Sequence, residues 1–294
     1  MHFKPQFIEK YTALTDFTAY QKALQQPLRR SFRVNTLMTT VPEVLLQLEH
    51  QGFPLEHIPW CKEGFSVGKG LVPLGNTKEH REGKIYIQSA ASLIPSIILD
   101  PQPGELVLDC CAAPGGKTTH LAALMENTGI IVANESDSKR IGILNAHLQR
   151  LHVMNVVVTK MSAETLTGAY DKILLDAPCS ASGTIIGDTK ESRRTLLAWN
   201  PDTILRLAKL QKKLLTHAYS LLKPEGTLVY STCSLEPEED ENVIQSFLAH
   251  EPSATLEKFD LPLQYDWNYG MKIWPQYNTT EGFFIAKIRK QPLL

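Results

Sequence analysis

The segment ELVLDC (105–110), followed by CAAPGGK (111–117) and TTHLAALM (118–125), decides the fold of this 294-residue chain. The first part is a short apolar run rich in branched residues, which predicts a buried strand, and the last part has a helical pattern. The small residues between them let the backbone approach a ligand closely, at a point where helix amide groups also face it. Taken alone, this loop is equally typical of a tight strand-to-helix connection that binds nothing.

Strands and helices continue to alternate after this segment. Four more strands are predicted at GIIVAN (129–134), NVVVTK (155–160), DKILLD (171–176) and GTLVYST (226–232), with helices over 138–151 and 203–222. Such alternation indicates a parallel sheet covered by helices on both faces. Two late runs, at 256–259 and FFIAKI (283–288), can close the sheet as an antiparallel pair.

The chain before residue 86 has a different pattern. It begins with a helical segment over 7–24 and continues through SFRVNTLMTT (31–40) and VPEVLLQLEHQGF (41–53) into a turn-rich stretch with several glycines. We therefore expect a small α+β domain over 1–85, for which an RNA-recognition fold is one option. A Rossmann-like α/β domain over 86–294 should follow it.

The bulk composition, 43% hydrophobic and 21% charged, is that of an ordinary globular protein. No apolar run approaches the ~20 residues that span a bilayer. The five cysteines are odd in number and lack the paired spacings of zinc sites or secreted disulfide frameworks, so we expect no metal and a reducing, cytoplasmic location. With a formal net charge of -1, any nucleic-acid site has to be a local patch on what we expect to be a monomer.

Three polar residues follow predicted strands at the edge of the sheet that carries the glycine loop. Glu135 ends the second strand, where doubly wound nucleotide-binding sheets place a carboxylate that accepts hydrogen bonds from ribose hydroxyls. Ser162 follows the third strand and would ordinarily be a turn residue. Asp176 ends the fourth strand at the carboxyl edge, where ligands of open sheets bind. Together with the loop, these positions favour an adenosine-containing cofactor.

Two cysteines also follow predicted strands, Cys179 in Asp-Ala-Pro-Cys and Cys233 in Ser-Thr-Cys. A single free cysteine is usually a small buried hydrophobe, but two at matching strand ends favour catalysis. Carbon 5 of cytosine is a poor nucleophile, so methylating it needs a thiolate that adds to carbon 6, a methyl donor and an acid. Asp176 can supply the acid function by hydrogen bonding ring nitrogen 3 and the exocyclic amine, and the second thiol can assist release.

These motifs closely resemble those of the RNA cytosine-5 methyltransferases of the Sun/Fmu type. The matching segments span nearly the whole chain and comprise LDCCAAPGGKTTHLA, ANESDSKR, LLDAPCSASG, YSTCSLEPEEDENV and EGFFIAKI, with weaker matches in FRVNTL and Gln88-Ser89. The resemblance implies a class I methyltransferase sheet, S-adenosylmethionine as cofactor with S-adenosylhomocysteine as product, and ribosomal or transfer RNA as the partner.

The resemblance also assigns roles to particular residues. Cys233 is the nucleophile and Cys179 promotes release of the methylated base, while Arg33 and Asn35 match an N-terminal motif that helps shape the RNA site. The residues that would line the cofactor pocket are Cys111, Ala112, Ala113, Pro114, Gly115, Gly116, Lys117, Glu135, Arg140, Ser162 and Asp176. Ser162 and Glu281 depart from the family pattern, which commonly has Asp at both positions.

The predicted helix over 203–222 offers a second candidate contact with RNA. Helical spacing buries one side, formed by Ile204, Leu207, Leu214 and Ala218. Arg206, Lys209 and Lys213 then share an adjoining face, which is either a set of phosphate contacts or simply a solvated surface. The target cytosine has to leave any stack to reach Cys233, so we expect a loop or a flipped base as substrate.

Two alternative functions remain open at this point. DNA cytosine-5 methyltransferases use the Pro-Cys thiol itself for attack, and the Thr-Cys motif around Cys233 disfavours that class. A catalytically idle RNA-binding assembly factor could keep the same fold. Such a scaffold would have no chemical use for Cys179, Cys233 and Asp176 together.

Overall fold

The structure is a computed structural model that describes residues 3–292. Its first elements are two helices, α1 (Pro5–Leu14) and α2 (Phe17–Leu24). The sequence predicted one helical segment over 7–24, but the chain is extended at Thr15 and turns helical again after Asp16. The Asp16 carboxylate accepts a hydrogen bond from the Ala19 amide, so a polar cap that begins the second helix separates it from the first.

The next six elements form a small antiparallel sheet with two helices: β1 (Arg30–Val34), α3 (Val41–His50), β2 (Leu55–His57), β3 (Gly64–Val67), α4 (Lys78–Arg81) and β4 (Ile85–Ile87). The strands lie in the order β2-β3-β1-β4. This strand, helix, strand, strand, helix, strand succession is a ferredoxin-like arrangement.

The two faces of the small sheet have different neighbours. Phe32 and Val34 of β1 pack with Leu48 of α3 in one apolar cluster. Arg33 lies between them in the strand, so its side chain points to the opposite face, where it is 1% exposed and donates from Nη2 to the Thr119 hydroxyl at 3.1 Å. The face without helices is therefore covered by the following domain.

Asn35 fastens the small sheet to that domain. Its buried Nδ2 group donates to the carbonyl oxygens of Gly83 and Leu151, at 2.9 Å each. Gly83 has a φ of +74°, and a Cβ atom added there would lie 1.8 Å from the carbonyl oxygen of Arg150. The two domains thus approach backbone to backbone, at a position where only glycine fits.

The larger domain begins at α5 (Ile94–Leu99). Its further elements are β5 (Leu106–Asp109), α6 (Gly116–Leu124), β6 (Ile130–Asn134), α7 (Ser138–Arg150), β7 (Val156–Thr159), β8 (Tyr170–Asp176), α8 (Lys190–Ala198), α9 (Pro201–Ser220), β9 (Leu222–Thr232), α10 (Glu241–His250), β10 (Ala254–Glu257), β11 (Asp266–Trp267), β12 (Met271–Ile273) and β13 (Phe283–Lys290). Every strand and helix that the sequence predicted here is present, and the helices α5, α8 and α10 and the short strands β11 and β12 are additional.

The strand order of the larger sheet is β11-β12-β13-β9-β8-β5-β6-β7, with β10 paired to β13. Strands β5 to β9 pair in parallel, whereas β10 to β13 pair antiparallel at the side of β9. This confirms the prediction of a Rossmann-like sheet with a late antiparallel part. The carboxyl ends of the parallel strands share one edge, where ligands of such sheets bind.

Helices α1 and α2 pack on the larger domain, where their aromatic residues share an apolar cluster with Trp199 and Trp274. The carboxylate of Glu236, in the loop after Cys233, is fully buried at this contact. It pairs with Lys10 at 2.6 Å and accepts hydrogen bonds from Tyr11 Oη and Trp199 Nε1, at 2.7 Å each. The beginning of the chain therefore supports the loop that carries one of the two strand-end cysteines.

In the part of the chain that the structure describes, the helices are all too short or too polar to cross a membrane.

The interdomain contact of Asn35 gives a stability prediction. Asn35→Ala should lower the free energy of unfolding by about 2 kcal/mol, because two buried carbonyl groups lose their donor. Chemical denaturation measures the change, and Asn76→Ala, at an exposed position, is the matched control. Equal effects of the two substitutions would contradict this account.

Candidate active site

The register between β8 and β9 brings the two strand-end cysteines together. Asp176 lies opposite Ser231 in this parallel pair, and each strand then runs into its cysteine loop. The Sγ atoms of Cys179 and Cys233 are 3.2 Å apart. The two thiols that the sequence placed at neighbouring strand ends are therefore in direct contact.

The Cys179 thiol is held in its protonated form. The hydrogen bond with Cys233 and burial hold the pKa of Cys179 well above its usual range. Cys179 therefore keeps its proton and can donate to the Cys233 sulfur. The ammonium of Lys117 interacts electrostatically with Cys233.

Asp176 is held in place through both carboxylate oxygens. Oδ1 accepts a hydrogen bond from the Ser231 hydroxyl, and Oδ2 accepts one from Lys117 Nζ, at 2.7 Å each. Burial opposes the charge on Lys117, but the carboxylate of Asp176 outweighs it and raises the pKa of the lysine. The pair is therefore an oriented ion pair next to the thiols.

Glu239 is a site residue that the sequence analysis missed. This buried carboxylate accepts hydrogen bonds from the Ser180 amide at 3.0 Å, the Ser234 hydroxyl at 2.6 Å and Gln211 Nε2 at 3.1 Å. Ser180 and Ser234 directly follow Cys179 and Cys233, so one carboxylate ties both cysteine loops together. Burial raises the pKa of Glu239. A run of acidic residues such as EPEEDE (236–241) usually indicates a solvated surface, so the pattern did not predict a buried carboxylate here.

A cavity of about 330 Å³ extends from the end of β6 to the cysteine pair. Glu135 lines one end, Cys179 and Cys233 line the other, and Asp176 lies on its wall. The Glu135 side chain is 4% exposed, and Oε1 accepts a hydrogen bond from the Asp137 amide at 3.0 Å. Its position at the end of the second parallel strand is the one that ribose-binding carboxylates occupy.

Arg140 completes this end of the cavity. One guanidinium nitrogen pairs with Glu135 Oε2 at 2.9 Å, and the other donates to the carbonyl oxygen of Ala113 at 2.5 Å. Arg140 therefore joins the carboxylate to the glycine loop. Both residues line the same cavity, and their contact with a cofactor remains a prediction.

The glycine loop separates this cavity from a second one. Gly115 has a φ of +107°, which favours glycine, and a Cβ atom on Gly116 would lie 2.9 Å from Gln88 Oε1. The second cavity, of about 320 Å³, is lined by residues of the loop including Ala112, Ala113 and Pro114, and by Lys117, Asp176, Asp109, Gln88 and Glu281 among others. Cys111 and Asp176 line both cavities, so the two spaces adjoin beside the ion pair.

The second cavity contains polar groups that lack a partner. Oδ1 of Asp109 and both ends of the Gln88 amide are buried without a hydrogen bond in the described structure. Burial raises the pKa of Asp109 to about 7, although the Thr118 hydroxyl donates to Oδ2 at 2.7 Å. Buried polar groups without partners are uncommon and indicate a place where a polar ligand binds.

Three other groups of predicted site residues lie elsewhere. Ser162 is exposed, and its hydroxyl accepts from the Glu164 amide rather than lining either cavity. Arg33 and Asn35 are buried between the domains and hydrogen-bonded to the larger one, and their part in shaping the RNA site remains a prediction.

The basic face of α9 remains a prediction. Arg206, Lys209 and Lys213 are exposed, as expected. Of the residues predicted on the inner side, Ile204, Leu214 and Ala218 are buried, but Leu207 is only half-buried because Ala208 and Gln211 take the centre of the contact.

Between the domains the structure also brings together Cys61, Glu63 and His120, whose ligand-type atoms lie within 4.8 Å of one another. Their spacing in the sequence gave no sign of this. Burial and the nearby Arg33 guanidinium hold the pKa of His120 well below its usual range. The same buried cation opposes a metal ion here, so we assign no metal to this cluster.

Sequence comparison assigns the family. The family described as 16S rRNA methyltransferase RsmB/F matches residues 96–289, and the N-terminal domain of 16S rRNA methyltransferase RsmF matches residues 3–90. The chain belongs to the RsmB/F methyltransferase family. The two matches to this RsmB/F protein leave residues 91–95 between them.

Two curated relatives and one solved structure illustrate the similarity. The tRNA (cytosine(49)-C(5))-methyltransferase of Pyrococcus abyssi is 41% identical over 96% of this chain and 95% of its own length. The ribosomal RNA small subunit methyltransferase F of Klebsiella pneumoniae is 41% identical over 95% of this chain, which spans 60% of that relative. A methyltransferase homolog protein from Pyrococcus horikoshii superposes with a TM-score of 0.84 at 37% identity, covering 98% of this chain and 99% of the other.

The residues present fit S-adenosylmethionine, the cofactor of this family. A buried carboxylate at the end of β6 suits a ribose, and the unpaired Asp109 and Gln88 beside the glycine loop suit the charged amino-acid end. The cysteine pair lines the first of the two cavities, and Asp176 lines both.

Asp109 gives a pH-dependent prediction. Its pKa is about 7 in the folded protein and ~3.9 in an unfolded chain. The stability that it contributes is therefore present at low pH and lost as the pH rises through about 7. Asp109→Asn can still accept from Thr118 and carries no charge, so it should raise the melting temperature of the ligand-free protein more at pH 8 than at pH 5. Thermal unfolding at both pH values measures this, and an equal shift at both would argue against a raised pKa.

Proposed function

We propose that this chain transfers a methyl group from S-adenosylmethionine to carbon 5 of a cytosine in RNA, with Cys233 as the covalent nucleophile. The observation that carries the proposal is the contact of the two thiols at 3.2 Å beside the ion pair of Asp176 and Lys117. One relative is named for the methylation of transfer RNA and another for that of ribosomal RNA, so both kinds of RNA belong in the test.

Each residue has a distinct part in this reaction. The Cys233 sulfur adds to carbon 6, and the electron pair of the double bond moves to carbon 5, which then accepts the methyl group. The Asp176 carboxylate accepts a hydrogen bond from the exocyclic amine, and it passes a proton from the Lys117 ammonium to ring nitrogen 3 as the sulfur adds to carbon 6. When bound, S-adenosylmethionine supplies the methyl group and leaves as S-adenosylhomocysteine.

Release reverses the addition. Carbon 5 gives its proton to water, the double bond re-forms, and the Cys233 sulfur departs with the electron pair of its bond to carbon 6, while ring nitrogen 3 returns its proton to Lys117 through Asp176. Cys179 keeps its proton and lies next to that sulfur, so it can stabilise the departing thiolate by a hydrogen bond. This geometry supports an RNA-type assignment of the two thiols, with attack by Cys233.

The cofactor pocket would be formed by the loop from Cys111 to Lys117, Glu135 and Arg140. The free state of all five cysteines fits a reducing compartment, and we propose that the protein acts in the cytoplasm as a monomer.

Glu135 tests the cofactor site. Glu135→Ala should weaken binding of S-adenosylmethionine by ~1.5 to 3 kcal/mol, because the ribose hydroxyls lose a charged acceptor. Isothermal titration calorimetry measures the affinity, and Glu164→Ala, at an exposed acidic position, is the control. Unchanged affinity in the Glu135 variant would remove this residue from the site.

The two thiols give the sharpest test of the reaction. With unmodified transfer RNA and 16S rRNA transcripts, Cys233→Ala should neither methylate nor form a covalent adduct. Cys179→Ala should still attack, and because release is impaired it should accumulate a protein-RNA adduct that survives denaturation. A denaturing gel with labelled RNA separates the outcomes, and Cys61→Ala, at a cysteine of the small domain, is the control.

An adduct in the Cys233 variant and none in the Cys179 variant would reverse the assignment of the thiols. Methylation of neither transcript by the wild-type protein would refute the substrate class.

A further inference from the structure

The small domain does not offer RNA the open face of its sheet. Arg33 on that face is 1% exposed and bonded to Thr119 of the larger domain, and the opposite face packs on α3. A four-stranded sheet usually recognises RNA by stacking bases on exposed aromatic side chains of its face. Here any contact between the small domain and RNA has to lie at an edge or in the loops.

One such edge carries an unusual combination of apolar and basic residues. A cavity of about 500 Å³ lies between the residues that precede β1 and the loop that follows β3. Its apolar part contains Leu71, which is 83% exposed, Val72, which is 43% exposed, and the buried Phe53. Arg30 and Lys69, both exposed, line the same cavity. We call this surface the shelf.

Pro54 and Phe53 pack tightly against the loop of the shelf. A Cβ atom on Gly68 would lie 2.5 Å from Pro54 Cγ, and one on Gly70 would lie 2.4 Å from the ring of Phe53. The backbone at both glycines therefore lies directly on these two side chains. Lys69 and Leu71 alternate with the glycines. The Leu71 side chain lies next to Gly52 on one side and is 83% exposed.

The shelf is connected with the active site through shared residues. Pro27 and Leu28 line both the shelf and a neighbouring cavity of about 410 Å³. Glu281 lines that cavity and also the one beside Lys117 and Asp176. The connecting cavity carries carboxylates, which suit the amino groups of bases and repel phosphates. We therefore assign the phosphate contacts to the cations of the shelf.

We propose that the shelf binds an unpaired nucleotide of the RNA substrate that flanks the target cytosine, with its base on Leu71 and Val72 and its phosphates at Arg30 and Lys69. This inference rests on the proposed function. Single-stranded nucleic acid is usually held by cations that follow its backbone and by side chains against which its bases pack. The two cations and the continuity with the active site favour RNA over a protein partner.

Two variants separate the parts of the shelf, with unmodified transfer RNA and 16S rRNA transcripts as probes. Leu71→Ser should raise KM ~5-fold or more, at unchanged kcat, for the transcript that the wild-type protein methylates, because a base loses the apolar side chain against which it packs. Arg30→Ala combined with Lys69→Ala should lower the slope of log affinity against log salt by about 0.7 to 0.9 per lost contact. The Leu71 variant should leave that slope unchanged.

Matched controls are taken from the end of the larger sheet that lies opposite the active site. Met154→Ser, at a position 81% exposed, controls for the apolar change. Lys223→Ala combined with Arg289→Ala controls for the two charges. KM values and salt slopes of the shelf variants that equal those of the controls would overturn the proposal. A changed sedimentation coefficient of Leu71→Ser with unchanged RNA affinity would also overturn it, since the shelf would then be a protein contact.

The experiment distinguishes a wrong assignment of the shelf from a wrong assignment of the reaction. If the wild-type protein methylates a transcript and the shelf variants match it, the shelf assignment alone fails. If the wild-type protein methylates neither transcript but the shelf variants bind both more weakly, the proposed reaction fails and the shelf remains an RNA site.

Discussion

The pairing of β8 with β9 is the interaction on which the site depends. Asp176 opposite Ser231 fixes where each strand ends, and the two cysteine loops start from these ends. A slip of one residue would turn Asp176 and the inward-facing apolar side chains to the wrong face, so the buried sheet specifies the register strongly. Glu239 then holds the two loops together after the strands have ended. Strand pairing brings the two thiols close to each other, and the buried carboxylate of Glu239 holds their loops in place.

Much of this could be predicted from the sequence because the signals are local. Short apolar runs between helical patterns gave all five parallel strands, and the residues at their ends gave Glu135, Asp176, Cys179 and Cys233. The split between α1 and α2 was missed because a single Asp cap outweighed a continuous helical pattern. The local sequence pattern therefore sufficed to predict those residues that lie directly at the ends of the strands.

Other features depend on contacts between distant parts of the chain. Arg33 and Asn35 lie in a motif that suggested RNA, yet the packing of the two domains buries them both. Glu239 lies in an acidic run that would be solvated in most proteins, and only the donors that surround it in the folded chain reveal its role. The cluster of Cys61, Glu63 and His120 likewise joins two domains. No spacing rule predicts such contacts, because the residues meet only after the domains have packed.

The buried carboxylate of Glu236 also constrains the order in which the molecule is completed during its synthesis. Lys10 and Tyr11 leave the ribosome early, whereas the carboxylate that they bind is made 225 residues after Tyr11. Until then the aromatic side of α1 and α2 has no cover, and the loop after Cys233 has no support. Domains generally fold as they emerge, but this contact can form only once most of the larger domain has been made. The loop that carries Cys233 therefore gains its support from the beginning of the chain only late in synthesis.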